Sequence, residues 1–411
     1  MNIQVRDFGP ITEGRVTVKP LTVFIGPNNS GKSYMAMLTY VLAGAQSWFR
    51  RVRLELEPGR ENTLETDLKE RVCSELERCF GAEIASLTRA KTSGFQVAFS
   101  GGEDGLGFRI SADGASVHLE DVSFPREYIR SEHHEDTKRE PRVLRLAWLR
   151  AALVPSQHYL PAARSGILQG HRALAAAVIS QMPLFGFREV RIPRLSGVVA
   201  DFIGELLRLY PAQRGVSHVA EFLQRELCDG SIELEPRGPS EYPEILYRHH
   251  KLRVPMHRAS SMISESAPIV LYLKHVVGKG DQLIIEEPEA HLHPHSQRIM
   301  ARGLARMVRA GLNVLITTHS DYLVHQISNL IRVSALAPEQ RARLGYHEEE
   351  LLDPDQVAAY LFHCPVEGEG SLISELPVTG ADGIPEEEFI RIAEALYDET
   401  VSLEQRRGTS R

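Results

Sequence analysis

Cysteine is scarce in this chain: Cys73, Cys79, Cys228 and Cys364 are the only four in 411 residues. None stands in a CxxC pair or at a metal-ligand spacing, so neither a disulfide framework nor a structural zinc site is indicated, and a reducing compartment is expected. Long apolar runs are missing as well. The best candidate, Ile269 to Val277, carries Lys274 and falls short of the ~20 residues that span a bilayer. The opening Met1-Asn2-Ile3-Gln4-Val5-Arg6-Asp7-Phe8 has polar and acidic residues too early for a secretory signal. A cytoplasmic protein with no membrane partner is the expectation. Basic excess is absent too: the formal net charge is −7. That excludes a broadly basic surface and leaves a local basic groove as the only route to nucleic acid. There is no internal repeat and no long heptad run.

What is present is ordinary in bulk, 43% hydrophobic and 25% charged, as in a globular domain. The length suits roughly two or three domains, or one large α/β unit with insertions. Ile3-Gln4-Val5, Arg15-Val16-Thr17-Val18 and Leu21-Thr22-Val23-Phe24-Ile25 read as strands separated by Gly9-Pro10 and Pro20. Leu64, Leu68, Val72 and Leu76 recur every four residues, which predicts a helix from Asn62 to Phe80 stopped by Gly81. The period then changes. Phe95 to Phe99 alternates, and Ala112-Asp113-Gly114 reads as a hairpin turn between Phe108-Arg109-Ile110 and Val117-His118-Leu119. Glu127 to Arg142 is dense in charge and reads as a solvated loop. Helices are expected from Ile167 to about Cys228, then two short strands near Ile232-Glu233-Leu234 and Ile245-Leu246-Tyr247.

The most informative stretch is Gly26-Pro27-Asn28-Asn29-Ser30-Gly31-Lys32-Ser33. It fits the phosphate-binding pattern GxxxxGK[ST], and the buried strand before it and the helix from Tyr34 after it supply the required context. In such a loop the backbone N–H groups and the helix N-terminus surround phosphates. Lys32 is then expected on the β- and γ-phosphates and the Ser33 hydroxyl on Mg²⁺, so ATP and Mg²⁺ are the expected ligands.

Gln282-Leu283-Ile284-Ile285-Glu286-Glu287 is an apolar strand ending in two acids. Beside a phosphate loop, such a strand delivers charge to the metal and the attacking water. Glu286 is expected in the Mg²⁺ shell, where Asp is more usual, and Glu287 as the base for the hydrolytic water. One helix later, Asn313-Val314-Leu315-Ile316-Thr317-Thr318-His319-Ser320 is a strand with a polar tip, and His319 is placed to sense the γ-phosphate.

Glu286-Glu287-Pro288-Glu289-Ala290-His291-Leu292-His293-Pro294 followed by Thr317-Thr318-His319-Ser320 resembles the RecF/SMC/OLD branch of ABC-type ATPases. Asp7-Phe8-Gly9-Pro10-Ile11, the phosphate loop and Tyr159-Leu160-Pro161-Ala162-Ala163-Arg164-Ser165-Gly166 are similar to that branch as well. The resemblance covers both ends of the chain and isolated points of its middle. It implies an α/β ATPase head: a nucleotide-binding core lobe with a mixed sheet (residues 1–50 and 281–411), an inserted helix with an antiparallel β segment and charged loop (51–163), and a helical lobe (164–280). It also implies a homodimer in which two heads clamp two ATPs. Pro288 to His293 would be the loop crossing that interface, which makes a metal site at His291, His293 and His295 the lesser reading. The signature facing the other subunit's nucleotide is expected in Ala259-Ser260-Ser261-Met262-Ile263-Ser264-Glu265-Ser266, with Ser260 and Ser261 supplying hydroxyls at a helix N-terminus. The family's glycine after the serine is Met262 here. A plain helix cap is the alternative reading of the two serines. The residue coupling ATP to the helical lobe is either Gln157, after a strand at Ala152-Leu153-Val154, or Arg164.

Missing parts narrow the class further. SMC-type relatives place long heptad segments between the two motif sets, and none is present. Beyond Ser320 only about 90 residues remain, fewer than a nuclease domain needs; Tyr360-Leu361-Phe362 reads as a strand there, and Gly383-Ile384-Pro385 opens a helix through Gln405. No NKxD motif indicates a GTPase. The expected protein is a stand-alone ATPase that controls a separately encoded effector, in prokaryotic defence or DNA maintenance. Two alternatives stay open: a DNA-binding repair ATPase using Arg139 to Arg150 or the helices from Ile167 to Arg225, and an ATP-gated scaffold with negligible turnover.

Overall fold

The computed structural model describes residues 1–55, 61–89, 92–102, 105–113, 116–123, 155–181, 195–211, 216–235, 243–365 and 370–408. The charged run Glu127 to Arg142, the segment Arg139 to Arg150 and the strand expected at Ala152 to Val154 lie outside those residues.

An eleven-stranded sheet organises the chain, in the order β6-β5-β4-β1-β2-β14-β13-β3-β12-β11-β7. Its parallel centre is β3 (Leu21–Ile25), β12 (Asn313–Thr318), β11 (Gln282–Glu286) and β7 (Gln157–Leu160). These are the near-continuous apolar runs of the sequence, as a parallel sheet covered on both faces requires. Every residue of β3 and β11 is buried. The alternation still sorts their side chains. Leu21, Val23, Ile25, Leu283, Ile285, Val314 and Ile316 join one core, and Phe24, Ile284 and Leu315 join the core on the opposite face.

On the other side of β3 lie β13 (Val357–His363) and β14 (Ser371–Leu376), then β2 (Ile11–Thr17) and β1 (Asn2–Phe8). The antiparallel segment β4 (Gly94–Ser100), β5 (Gly107–Asp113) and β6 (Ser116–Ser123) continues this sheet through the β1–β4 pair. The hairpin between β5 and β6 closes with Asp113 opposite Ser116. The core lobe and the antiparallel segment read from the sequence therefore share one sheet.

Helix α1 (Lys32–Glu55) covers one face together with α2 (Glu61–Phe80), whose Leu68, Val72 and Leu76 are buried. The opposite face carries α3 (Arg164–Gln181), α4 (Gly197–Arg208), α5 (Ser217–Leu223, continuing into a π turn at Gln224–Cys228) and α6 (Ser261–His275). It is completed by α7 (Pro294–Arg309) and α8 (Asp321–Ser334), and the short α9 (Pro338–Arg343) follows with no buried residue. A small antiparallel sheet of β8 (Ser231–Glu235), β9 (Glu244–His249) and β10 (Leu252–Pro255) precedes α6. β8 and β9 match the two strands expected from sequence; β10 returns from β9 through a turn with His250 at φ 50°. α10 (Glu387–Gly408) ends the described chain. This is an α/β fold with a mixed sheet and helices on both faces, as expected from the sequence.

Candidate nucleotide site

The parallel order β3-β12-β11 delivers three strand ends to one edge of the sheet. The phosphate loop leaves β3, Glu286 and Glu287 end β11, and His319 follows β12. Ligands of open α/β sheets bind outside such carboxyl ends. The loop depends on glycine at two points. Gly26 has φ 149°, and a Cβ there would lie 2.3 Å from the Phe362 carbonyl; Gly31 has φ 90°, with Ile11 Cγ1 2.8 Å from the corresponding position.

A cleft of about 800 Å³ opens here, lined by Asn28, Asn29, Ser30, Gly31, Lys32, Ser33 and Tyr34, with Glu287 and Thr317 opposite. Gly9, Pro10, Ser86 and Thr88 complete its rim. Ser86 and Thr88 were not foreseen from sequence. They arrive on a 3₁₀ turn (Ile84–Leu87) tied to the β1–β2 turn by Gly9 N–H donating to the Leu87 carbonyl at 2.7 Å. Tyr34 is steadied by edge and tilted ring contacts to Phe8 and Phe80 at 6.2 and 5.2 Å.

Lys32 is buried, and its ammonium donates to the carbonyls of Gly26 at 2.7 Å and Pro27 at 2.6 Å. Burial lowers its pKa, opposed by the charges of Glu287, Glu289 and Glu286. Of these three carboxylates Glu287 lines the cleft opposite the lysine and Glu286 and Glu289 are buried, an arrangement suited to a metal–triphosphate between lysine and acids. Ser33 is exposed to the cleft at the first turn of α1. Glu286 is buried, with one carboxylate oxygen accepting from Ala162 N–H at 3.1 Å. A hydroxyl and a carboxylate suit Mg²⁺, which takes few protein ligands and keeps waters and phosphate oxygens. ATP and Mg²⁺ fit the residues present.

Glu287 is the first residue beyond β11 and takes a left-handed φ of 43°. Its N–H donates to the Thr317 carbonyl at 2.9 Å and lies 3.3 Å from the Thr317 hydroxyl. The strained backbone turns the side chain out of the strand, where it is one-third exposed. Behind it sits Glu289, only 4% exposed, which accepts from the Thr318 hydroxyl at 2.6 Å and the His319 N–H at 3.1 Å. Burial raises the Glu289 pKa, and these donors oppose the rise. The sequence did not single out this role for Glu289.

His293 N-caps α7, its Nδ1 accepting from His295 N–H at 3.3 Å. Among the described residues no group of three or more His, Cys, Asp or Glu could hold a metal ion by itself. Gln157 turns from the cleft: its amide donates to the Ser47 hydroxyl and to the Pro155 carbonyl. It lines a separate cavity of about 370 Å³ with Tyr40, Trp48 and Asp201. Arg164 is fully buried beneath the end of β11. Ser260 and Ser261 are exposed and do not line the cleft of their own chain. Ser260 N-caps α6, its hydroxyl accepting from Ile263 N–H at 3.4 Å. Met262, which stands where the glycine was expected, packs partly buried against the core.

Residues 212–324 match a family described as AAA ATPase domain, a stretch holding Ser260, Ser261, Glu286, Glu287 and His319. Solved structures similar to the chain include an Smc head bound to the C-winged-helix domain of ScpA, at 12% identity and a TM-score of 0.49, covering 92% of this chain and 97% of that one. Another is an Smc head domain with an extended coiled coil bound to the C-terminal domain of ScpA, from Pyrococcus furiosus, at 13% identity and a TM-score of 0.44, covering 96% and 98%. A third is the SMC head domain from Thermotoga maritima, at 12% and 0.40, covering 92% and 98%. No curated protein matches the sequence. The phosphate loop, the acidic strand end and the histidine strand meet at one sheet edge, and the match to an AAA ATPase domain covers the last two of them; together they are the parts of an ATP-binding ATPase site. No helix among the described residues is long and apolar enough to cross a membrane.

Proposed function

We propose that the protein hydrolyses ATP with Mg²⁺ and uses the cycle to control a separate protein. The observation that supports this best is Glu287 facing Lys32 and the phosphate loop across one cleft, with its backbone turned left-handed at the strand end. Gly26 to Ser33 and Tyr34 hold the triphosphate, and Lys32 leaves the Gly26 and Pro27 carbonyls for phosphate oxygens. Ser33 and Glu286 hold Mg²⁺. Glu287 takes the proton of the attacking water, and His319 hydrogen-bonds the γ-phosphate.

Ser260 and Ser261 stand exposed at a helix N-terminus outside their own cleft, which suits a nucleotide presented by a second copy. ATP therefore closes a head-to-head homodimer, and hydrolysis reopens it. The effector is a separately encoded protein, in a cytoplasmic setting such as prokaryotic defence or DNA maintenance. Glu287→Gln keeps the side-chain shape and removes the base. Turnover should fall by about 10²–10⁴-fold, with an ATP-bound dimer accumulating by light scattering. Hydrolysis at the parent rate would remove Glu287 from the mechanism. Full loss of turnover with no ATP-dependent dimer would instead reject the clamp.

A further inference from the structure

Arg164 lies where three segments meet, and its side chain has no solvent exposure. Its Nη1 donates to the Pro161 carbonyl at 3.1 Å and to the Glu286 carbonyl, and its Nη2 donates to the Glu287 carbonyl at 2.9 Å. Its Nε donates to the backbone carbonyl of Glu265 at 3.3 Å, and Nη2 lies 3.2 Å from the Glu265 carboxylate. Glu265 is itself buried in the second turn of α6, and its other carboxylate oxygen accepts from Ser165 N–H at 3.0 Å.

An ion pair that only filled the core would satisfy itself between the two side chains. Here most of the guanidinium fork is spent on backbone carbonyls, two of them belonging to Glu286 and Glu287. With Thr317 holding the Glu287 N–H, the Glu287 residue is fixed on both sides, which is what a left-handed, non-glycine φ requires to persist. The same guanidinium is paired to α6, the helix that begins at the exposed Ser260 and Ser261. A fixed fork suits this task; a lysine offers one rotatable ammonium.

We propose that Arg164 is a positioning residue: it sets the backbone of Glu287 and registers it against α6, so that a nucleotide of a second copy bound at Ser260 and Ser261 aligns Glu287 in this copy. The inference rests on the ATPase reading above. It adds that each head's base is aligned from its own signature end.

The test uses the full chain, with turnover, ATP affinity by calorimetry and a melting curve for each variant. In Arg164→Lys the cation stays but cannot span the carbonyls, so kcat should fall about 10²-fold, with KM and ATP affinity within about twofold. Glu265→Gln keeps all the carbonyl bonds and loosens only the link to α6. It should melt close to the parent and lose about tenfold in kcat, again at unchanged affinity, so it carries the test if Arg164→Lys does not fold. Either folded variant turning over within twofold of the parent overturns the proposal. So does a loss of ATP affinity parallel to the loss of kcat, which would mark a general collapse of the site. A parent protein that hydrolyses no ATP overturns the ATPase reading, and this inference with it.

Discussion

His319 Nδ1 stands 3.7 Å from Glu287 Oε1, beyond hydrogen-bond distance but close enough for the two side chains to meet the same ligand at the cleft. The same nitrogen is 3.9 Å from Glu289 Oε1. The imidazole therefore lies between a carboxylate facing the cleft and one buried behind it. The buried one holds the backbone of the histidine turn, through the Thr318 hydroxyl and the His319 N–H.

That division predicts different outcomes at position 289. In Glu289→Gln the side-chain carbonyl can still accept from both donors, so stability and turnover should stay near the parent. Glu289→Ala leaves two donors without a partner, at a cost of about 1–3 kcal/mol each, and frees the His319 turn. A melting curve and a turnover assay check both: equal behaviour of Gln and Ala would show that the carboxylate site does not hold His319.

Lys32 carries the next prediction. Its two carbonyl bonds show the ammonium aimed into the loop, where on the proposed reading phosphate oxygens would take the place of the Gly26 and Pro27 carbonyls. Lys32→Ala should weaken ATP binding by about 1.5–3 kcal/mol, the range for a charged hydrogen bond, or roughly 10- to 100-fold. Calorimetry with ATP and Mg²⁺ measures it directly, and an unchanged affinity would remove Lys32 from the site.

The sequence was most readable where chemistry is contiguous. The loop at Gly26 to Ser33, the acids after Leu283 to Ile285 and the histidine after Asn313 to Thr318 each announce themselves within eight residues, and parallel pairing then puts them side by side. Arg164 was not readable in this way. Gln157 and Arg164 were equal candidates for one role, and what separates them is partners more than a hundred positions downstream at Glu265, Glu286 and Glu287. Ser86 and Thr88 carry no motif; they reach the cleft only because Gly9 and Asp7 bond to the turn around them. The antiparallel segment looked separable because its period changed at Gly94. Its pairing to β1 is a nonlocal choice that alternation alone does not encode.

Glu350 gives a prediction about pH. It is fully buried and paired with Arg302 at 2.8 Å and Arg306 at 2.8 Å, which ties α7 to the loop before β13. Desolvation raises its pKa, but hydrogen bonds from Arg302 and Arg306 outweigh it, and the net shift is downward from 4.5. A depressed carboxylate pKa contributes stability above the unfolded value and loses it as pH falls through the folded value. At neutral pH, Glu350→Gln should therefore be less stable by about 3 kcal/mol, the lower range for breaking a buried pair. The gap should narrow as pH drops below 4.5. Urea midpoints of both proteins across that range decide it; a constant gap would mean that the ion pair contributes nothing.

The composite nature of the site can be tested by mixing two defective proteins. Lys32→Ala removes the phosphate-loop half of a site, and the double change Ser260→Ala, Ser261→Ala removes the half offered to the partner. Each protein alone closes only on sites that lack something, so each should be nearly inactive. In a mixed dimer both lesions fall in one site, and the other receives an intact loop from one copy and intact serines from the other. If halves assort freely at equal concentration, half the dimers are mixed and each has one of two sites whole, which restores about a quarter of parent activity in a two-fold dimer. The serines are exposed and lie outside their own cleft, so their loss should leave ATP affinity of the separate heads unchanged. A mixture no more active than its components would place Ser260 and Ser261 outside the site and reduce Ser260 to the cap of α6 that its 3.4 Å contact with Ile263 N–H already describes.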